Sequence, residues 1–277
     1  MREAILERLA AIERQHGVGI VYACESGSRA WGFASPDSDY DVRFIYARGL
    51  DWYLSFDVER QRDVIECPIV DDLDCNGWDI RKALHLFTRT NGALLEWLHS
   101  PIGYVERGDF AQSLRRLAPR CFNATALCYH YHHMARSNAR GYLFTEEVRL
   151  KKYFYVLRPL LAIRHIEHGL GIPPVRFAPL VNAVAPGGIR PSIAELLERK
   201  RETSELGTGE PIPEIDRFVR TELERHGDAF SGRDRPDRLD KEESRHRLNE
   251  IFRSVVSPPH PGPPAGPPPP AGPPLSR

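Results

Sequence analysis

The chain has 277 residues, of which 41% are hydrophobic and 27% are charged, and its formal net charge is +0. This length and apolar content allow one or two buried cores. The five cysteines show no framework spacing, no signal peptide is evident, and no apolar stretch is long enough to cross a bilayer, so we expect a reduced, cytoplasmic protein with no membrane attachment.

The neutral total hides a difference between two parts of the chain. Residues 1–100 contain 17 Asp and Glu against 11 Lys and Arg, whereas residues 101–200 contain 7 against 15. The first part is therefore suited to binding cations, and the second to binding phosphates.

Residues 3–15 are predicted to form an amphipathic helix that presents Ile5, Leu9 and Ile12 on one face and stops at Gly17. A buried strand is predicted from Val18 to Cys24, and it runs directly into Gly27 and Ser28. A small-residue turn after a strand leaves backbone N–H groups exposed, which favours binding of an anion.

Asp39 and Asp41 follow in a second strand-like stretch, which continues through Val42 and Phe44. Alternate residues of a strand point to the same face, so the two carboxylates should lie side by side. Adjacent like charges need a counter-cation, and oxygen ligands of this kind suit Mg²⁺. A Walker-type phosphate loop does not fit, because no Lys-Ser or Lys-Thr follows Gly32.

The Gly27-Ser28 pair, ten intervening residues and the Asp39-x-Asp41 pair resemble the signature of the DNA polymerase beta nucleotidyltransferase superfamily. The longer string from Glu25 to Tyr46, with residues 77–79 and 91–101 downstream, resembles one branch of it. That branch comprises predicted nucleotidyltransferases associated with RNA repair and RNA ligase systems, and the likeness covers residues 1 to about 185. It implies two Mg²⁺ ions, for which Mn²⁺ can substitute, held by Asp39, Asp41 and a third carboxylate.

The third carboxylate is expected on a neighbouring strand. Residues 64–70 are predicted to form a strand, an acidic stretch follows at 71–74, and a helix is predicted from Ile80. Asp79 lies just before that helix, where a helix N-cap is as good a local explanation as a metal ligand. The resemblance favours Asp79 as the third acid, with Asp74 and Glu66 as the alternatives.

Two long helices are predicted, over residues 121–142 and 148–168. In the second, Lys151, Tyr155 and Arg158 recur at steps of four and three, so they share one face, with Lys152 beside them. Such a face would contact a triphosphate, stack a base or guide an RNA backbone; the alternative is a solvated basic stripe. The predicted nucleotide- and phosphate-binding residues are Gly27, Ser28, Arg29, Arg43, Lys151, Lys152, Tyr155 and Arg158.

The predicted fold is α+β: a small mixed β-sheet of the nucleotidyltransferase type backed by helices, then a helical domain and a disordered Pro-rich tail. The expected divisions are a catalytic domain over 1–105, a helical domain over 106–230, a charged helical or flexible segment over 231–256, and the tail over 257–277. The tail has 11 Pro and 3 Gly in 21 residues, so it cannot build a core.

The expected activity is magnesium-dependent transfer of a nucleoside monophosphate from a nucleoside triphosphate, ATP in the first place, to a hydroxyl acceptor with release of pyrophosphate. The resemblance and the basic middle of the chain favour an RNA end as the acceptor. A protein or small-molecule hydroxyl is the alternative acceptor, and a third hypothesis is an inactive nucleotide-binding module.

Overall fold

A computed structural model describes residues 1–202, 207–227 and 241–257. Helices and strands alternate in the first part of the chain, and the rest of the chain is mainly helical. The α-helices are α1 (Arg2–His16), α2 (Gly27–Trp31), α3 (Leu50–Tyr53), α4 (Ile80–Thr88), α5 (Gly92–Leu98), α6 (Phe110–Cys121), α7 (Ala124–Tyr142), α8 (Lys151–Glu167), α9 (Phe177–Val184), α10 (Arg190–Glu202), α11 (Pro213–Gly227) and α12 (Lys241–Val256). The strands are β1 (Gly19–Glu25), β2 (Tyr40–Ala47), β3 (Val64–Glu66), β4 (Leu73–Asp79), β5 (Gly103–Glu106), β6 (Val148–Arg149) and β7 (Thr208–Gly209).

Five strands form one mixed sheet in the order β3-β4-β2-β1-β5. The β2 and β4 strands are parallel, and the other neighbours are antiparallel. Parallel pairing needs a crossover, which here runs through α3 and β3. The parallel strands β2 and β4 therefore begin at the same end of the sheet, which brings their first residues together.

Each face of the sheet is covered by a separate apolar cluster. On one face, Ile5, Leu9 and Ile12 of α1 pack against Val42 and Phe44, as the spacing of the first helix predicts. The α1 helix ends at Gly17, whose φ of 60° is the left-handed conformation that favours glycine.

The opposite face packs against helices from α4 onward, and one apolar cluster runs from Ile45 of the sheet to Leu160 of α8. Helices α7 and α8 lie against each other and form the centre of the helical part. The expected α+β architecture, a small mixed sheet backed by helices and followed by further helices, is confirmed. Among the described residues, no helix is long and apolar enough to cross a membrane.

One part of the sheet differs from the sequence prediction. The strand expected over 64–70 is limited to β3, and the stretch before Ile80, expected to be an acidic connection, is the interior strand β4. Asp71 and Asp72 have positive φ angles of 51° and 62° and make the turn between these strands. Asn76 and Gly77 are poor strand formers, so local propensity obscured a strand that its neighbours on the sheet stabilise.

The last two expected segments are described only in part. Helix α12 occupies much of the charged segment predicted over 231–256. The Pro-rich tail lies outside the described residues except for Ser257.

Candidate active site

Two aspartates from neighbouring strands face each other at one end of the sheet. Asp41 of β2 and Asp74 of β4 are partners in the parallel register, and their side chains are 30% and 22% exposed. Asp39 precedes β2 by one residue and is exposed. Burial raises the pKa of Asp41, Arg43 opposes that effect, and the negative charges of Asp74 and Asp39 raise the pKa further. The three carboxylates are therefore close enough to interact electrostatically.

Gly27 lies directly against Asp41. Its φ is 59°, and a Cβ atom at this position would stand 2.0 Å from Oδ2 of Asp41. The backbone N–H of Ser26 also donates to the carbonyl of Asp41 at 2.8 Å. Both the backbone conformation and the close approach require glycine. The turn at Gly27 is therefore packed directly against the carboxylate of Asp41.

A buried glutamate supports Asp41 from the other side. Glu25, at the end of β1, is 0% exposed, and its carboxylate accepts the backbone N–H of Asp41 at 2.8 Å and the hydroxyl of Tyr104. The hydroxyl of Ser100 donates to the carbonyl of Glu25 at 2.6 Å. Glu25 is a site residue that the sequence patterns did not identify, although an acidic residue at the end of an apolar strand was an available signal.

Arg43 lies between Asp41 and Asp74. Its Nη2 donates to Oδ1 of Asp41 at 2.8 Å and to Oδ2 of Asp74 at 2.7 Å. Its Nη1 donates to the carbonyls of Asp74 and Val42 at 2.7 and 3.2 Å. Within residues 1–202, 207–227 and 241–257, no three His, Cys, Asp or Glu side chains are gathered as a ready metal site. The counter-cation of the two acids in this structure is Arg43.

Arg29, also predicted to bind phosphate, holds the loop that carries Asp39. Its guanidinium donates to the carbonyl of Ser38 and, at 3.2 Å, to that of Asp39. It also lies 3.7 Å from the centre of the Tyr40 ring. These contacts fix the loop at the start of β2.

Comparison with known proteins gives three findings. The profile of the RlaP family, described as an RNA repair pathway DNA polymerase beta family, matches residues 1–254. The chain belongs to this family. It is also 47% identical over 257 residues to the uncharacterized protein YcgL of Bacillus subtilis (strain 168), covering 92% of this chain and 96% of YcgL. A crystal structure of a nucleotidyltransferase-like protein from Exiguobacterium sibiricum 255-15 matches at 13% identity and a TM-score of 0.32, over 89% of this chain and 88% of that one.

The RlaP family match extends well past residue 185, so it includes the helical part of the chain. At a TM-score of 0.32 the structural match says nothing further about this chain. The family membership identifies the chain as a protein of the nucleotidyltransferase type in the DNA polymerase beta superfamily.

The structure does not bring Asp79 to the carboxylate pair. Asp79 is opposite Tyr46 in the register, five positions along β4 from Asp74. Because five is an odd number of positions on a strand, the side chain of Asp79 also points to the opposite face of the sheet from that of Asp74. Asp79 is the N-cap of α4, where it accepts the N–H of Arg81 at 2.8 Å and the hydroxyl of Tyr53 at 2.9 Å.

Of the two alternatives for the third carboxylate, the geometry favours Asp74. Glu66 is an exposed residue of β3 that pairs with Arg62, whereas Asp74 lies beside Asp41. The signal that would have found Asp74 is the alternation of Leu73, Cys75 and Gly77 with polar residues, which is typical of a strand.

Of the predicted residues of α8, Tyr155 lies near the acids and Lys152 lies beside its ring. Burial and then the charges of Asp41 and Asp39 raise the pKa of Tyr155, which places its ring near both carboxylates. The ring packs edge-on against Trp31 with centroids 5.4 Å apart. Lys152 has its Nζ 3.9 Å from the centre of the Tyr142 ring and 5.1 Å from that of Tyr155. The Tyr155 ring therefore lies near Asp41 and Asp39, and the ammonium group of Lys152 lies beside that ring.

Arg158 and Lys151 have different surroundings from Lys152. Arg158 is 1% exposed and pairs with Glu96 at 2.7 Å. Its guanidinium lies 4.7 Å from the Trp31 ring centre, so it packs against that ring inside the protein. Because the Arg158 guanidinium is buried and paired with Glu96, it is not available to bind phosphate in this structure. Lys151 begins α8 and is half-buried.

Proposed function

We propose that this protein is a magnesium-dependent nucleotidyltransferase that transfers a nucleoside monophosphate from a nucleoside triphosphate to the hydroxyl of an RNA end. The observation that carries the proposal is the pairing of Asp41 with Asp74 on parallel strands, next to Asp39 and against Gly27. Three neighbouring carboxylates exceed the single positive charge that Arg43 supplies to two of them, and such a group fits a site for cations that bind polyphosphate.

The donor set fits magnesium. Asp39, Asp41 and Asp74 offer only carboxylate oxygens, which are the ligands that Mg²⁺ prefers. Burial, and after it the negative charges of Asp74 and Asp39, raise the pKa of Asp41, and a bound divalent cation would favour the ionised carboxylate against both effects. When bound, Mg²⁺ ions would stabilise the attacking and leaving oxygens of an in-line displacement at the α-phosphorus. Mn²⁺ would substitute for them.

The chain itself would orient the triphosphate. Gly27 lies against Asp41 at the start of α2, so the backbone N–H groups of Gly27 and Ser28 would bind phosphate there, and Lys152, beside the Tyr155 ring, would add positive charge. Tyr155 and Trp31 offer ring surface next to the carboxylates for a base or sugar. Glu25 would hold the backbone of Asp41 in place while negative charge builds up on the oxygens around the α-phosphorus.

An RNA acceptor is supported by the family's description as part of an RNA repair pathway and by the basic composition of residues 101–200. ATP is the first nucleotide to test. The experiment is incubation of the protein with each of the four α-labelled nucleoside triphosphates, Mg²⁺ or Mn²⁺, and a panel of tRNA, cleaved RNA and cellular protein.

Label in RNA supports the proposal, provided that Asp41→Asn and Asp74→Asn abolish it. Label in protein or in a small molecule would overturn the choice of acceptor while retaining the chemistry. Failure of every nucleotide to label anything would favour a nucleotide-binding protein without transfer activity.

A further inference from the structure

We propose that Arg43 is a built-in counter-cation that competes with the divalent metal for Asp41 and Asp74, so that the metal binds tightly only when a nucleotide is present. The inference rests on the proposed function, because it takes the two aspartates to be metal ligands. It adds an order of binding that neither the fold nor the family membership implies.

The first step is the position of one nitrogen. Nη2 of Arg43 is 2.8 Å from an oxygen of Asp41 and 2.7 Å from an oxygen of Asp74. A divalent cation held by the same two oxygens at about 2.1 Å would lie within about 5 Å of that nitrogen. Two positive groups so close repel each other strongly in a partly buried site, so both cannot keep the same oxygens.

The second step is that the guanidinium is anchored rather than loosely placed. The Arg43 side chain is 17% exposed, and Nη1 bonds to the carbonyls of Asp74 and Val42. The other oxygen of Asp74 accepts from Asn76 Nδ2 at 2.6 Å. A metal that binds without nucleotide must therefore break several charge-assisted hydrogen bonds and leave a half-buried guanidinium without its two carboxylates.

A bound nucleotide would give Arg43 another anionic partner. A triphosphate beside Gly27 and Asp41 offers anionic oxygens, with which a guanidinium forms strong bidentate bonds. Arg43 would then exchange carboxylate for phosphate, which frees both aspartates for the metal. Because linkage is reciprocal, nucleotide tightens metal binding by the same factor by which metal tightens nucleotide binding.

The experiment measures binding of Mn²⁺ alone by the electron paramagnetic resonance signal of the free ion. We expect weak binding by the wild type and at least tenfold tighter binding by Arg43→Met, which keeps much of the side-chain volume but removes the charge. Arg43→Lys, which keeps the charge, should remain closer to the wild type. A triphosphate analogue with a non-hydrolysable α–β bridge should tighten Mn²⁺ binding strongly in the wild type and much less in Arg43→Met.

Two controls identify the place and the cause. Arg62→Met removes the same charge from the exposed pair with Glu66 and should leave the Mn²⁺ affinity unchanged. Adding Asp41→Asn to Arg43→Met should abolish the gain. Thermal unfolding is a second readout, because Mn²⁺ should raise the melting temperature of Arg43→Met more than that of the wild type, even if that variant is less stable without metal.

Equal Mn²⁺ affinity in wild type and Arg43→Met, or equal tightening by the analogue in both, would overturn this inference. A gain that survives Asp41→Asn would also overturn it, since the ion would then bind elsewhere. Transfer of label by the wild type is measured separately. If label is transferred while Arg43→Met leaves Mn²⁺ affinity unchanged, the proposed function stands and only the role of Arg43 fails.

Discussion

The two ends of strand β4 each carry an aspartate, and the surroundings of these residues differ sharply. Asp74 lies opposite Asp41, is 22% exposed, and shares a guanidinium with that neighbouring acid. Asp79 is 1% exposed, and its carboxylate accepts hydrogen bonds from the backbone N–H of Arg81 and the hydroxyl of Tyr53. Four residues of β4 separate an acid that shares a cation with its neighbour from a single acid that caps a helix.

The contrast shows how strand geometry assigns roles to residues of the same type. Whether two residues of a strand are an even or odd number of positions apart decides whether they share a face of the sheet, and the register decides which residue of the next strand each one faces. Asp74 lies on the same face as Asn76 and Trp78, and its partner on the neighbouring strand is the carboxylate of Asp41, so the two charges act together. The carboxylate of Asp79 is occupied by groups of its own fold, so its charge contributes to structure.

The largest expected effect is on catalysis at the Asp74 end. Asp41→Asn and Asp74→Asn should each lower nucleotidyl transfer by about a thousandfold or more, because each removes charge that stabilises the transition state through bound metal, an effect of several kcal/mol. The measurement is incorporation of α-labelled nucleotide, with circular dichroism to show that the fold is retained.

Asp79→Asn is the matched control, because it makes the same chemical change on the same strand. It should retain most of the activity. If Asp79→Asn loses as much activity as Asp41→Asn while Asp74→Asn is active, then Asp79 is the third carboxylate and the assignment from register is wrong.

The next effect tests the contact between Gly27 and Asp41. Gly27→Ala should lower activity by tens of fold or more, because its Cβ would collide with Oδ2 of Asp41. Gly17→Ala is the control: its φ is also close to 60°, but no atom lies within 4 Å of the added Cβ. Both variants should lose about 1 kcal/mol of stability from the strained backbone, and only Gly27→Ala should lose activity. Equal activity in the two variants would show that the contact is unimportant.

Much of the architecture and part of the site could be predicted from sequence, because the signals there are local. The apolar spacing in α1 and the alternation around Asp41 identify their elements directly. The third acid required the partner of β2, and that partner depends on long-range register, which local patterns do not specify. Local patterns also gave Asp79 two equally good explanations, and its N-cap contact with Arg81 is the one found in the structure.

Arg158 illustrates a second limit. Helical spacing correctly put it on the same side as Tyr155, since both contact Trp31. Spacing could not show that Glu96 from another helix would bury and neutralise it. A charged residue on a helix is equally suited to a ligand and to a distant acid, and only the packing decides between them.

A smaller effect concerns stability at the Asp79 end. Asp79→Ala should lower the free energy of unfolding by about 2 kcal/mol, because it removes the cap of α4 and leaves the Tyr53 hydroxyl without its acceptor. Asp79→Asn should cost less, since an amide oxygen can still accept the N–H of Arg81. Urea unfolding measures both. A loss in Asp79→Ala no larger than in Asp79→Asn would contradict the capping role.

The smallest effect is the pH dependence of that same residue. Burial raises the pKa of Asp79 above 3.8, and its hydrogen bonds with Arg81 and Tyr53 lower it only in part. The native state therefore binds this proton more tightly than the unfolded state, so the stability contributed by the group is greatest below pH 3.8 and falls as pH rises through the raised pKa.

Neither Asp79→Asn nor Asp79→Ala can titrate at this position, so the stability of each variant relative to the wild type should increase with pH from 3.8 up to the raised pKa and then level off. The two curves should run parallel, with Asp79→Ala lower by a constant amount, because the lost cap does not depend on protonation of the variant. Urea unfolding at several values between about pH 4 and about pH 7 measures both curves. A flat difference for both variants would mean that Asp79 is ionised as easily in the folded as in the unfolded chain, which would contradict a pKa raised by its burial.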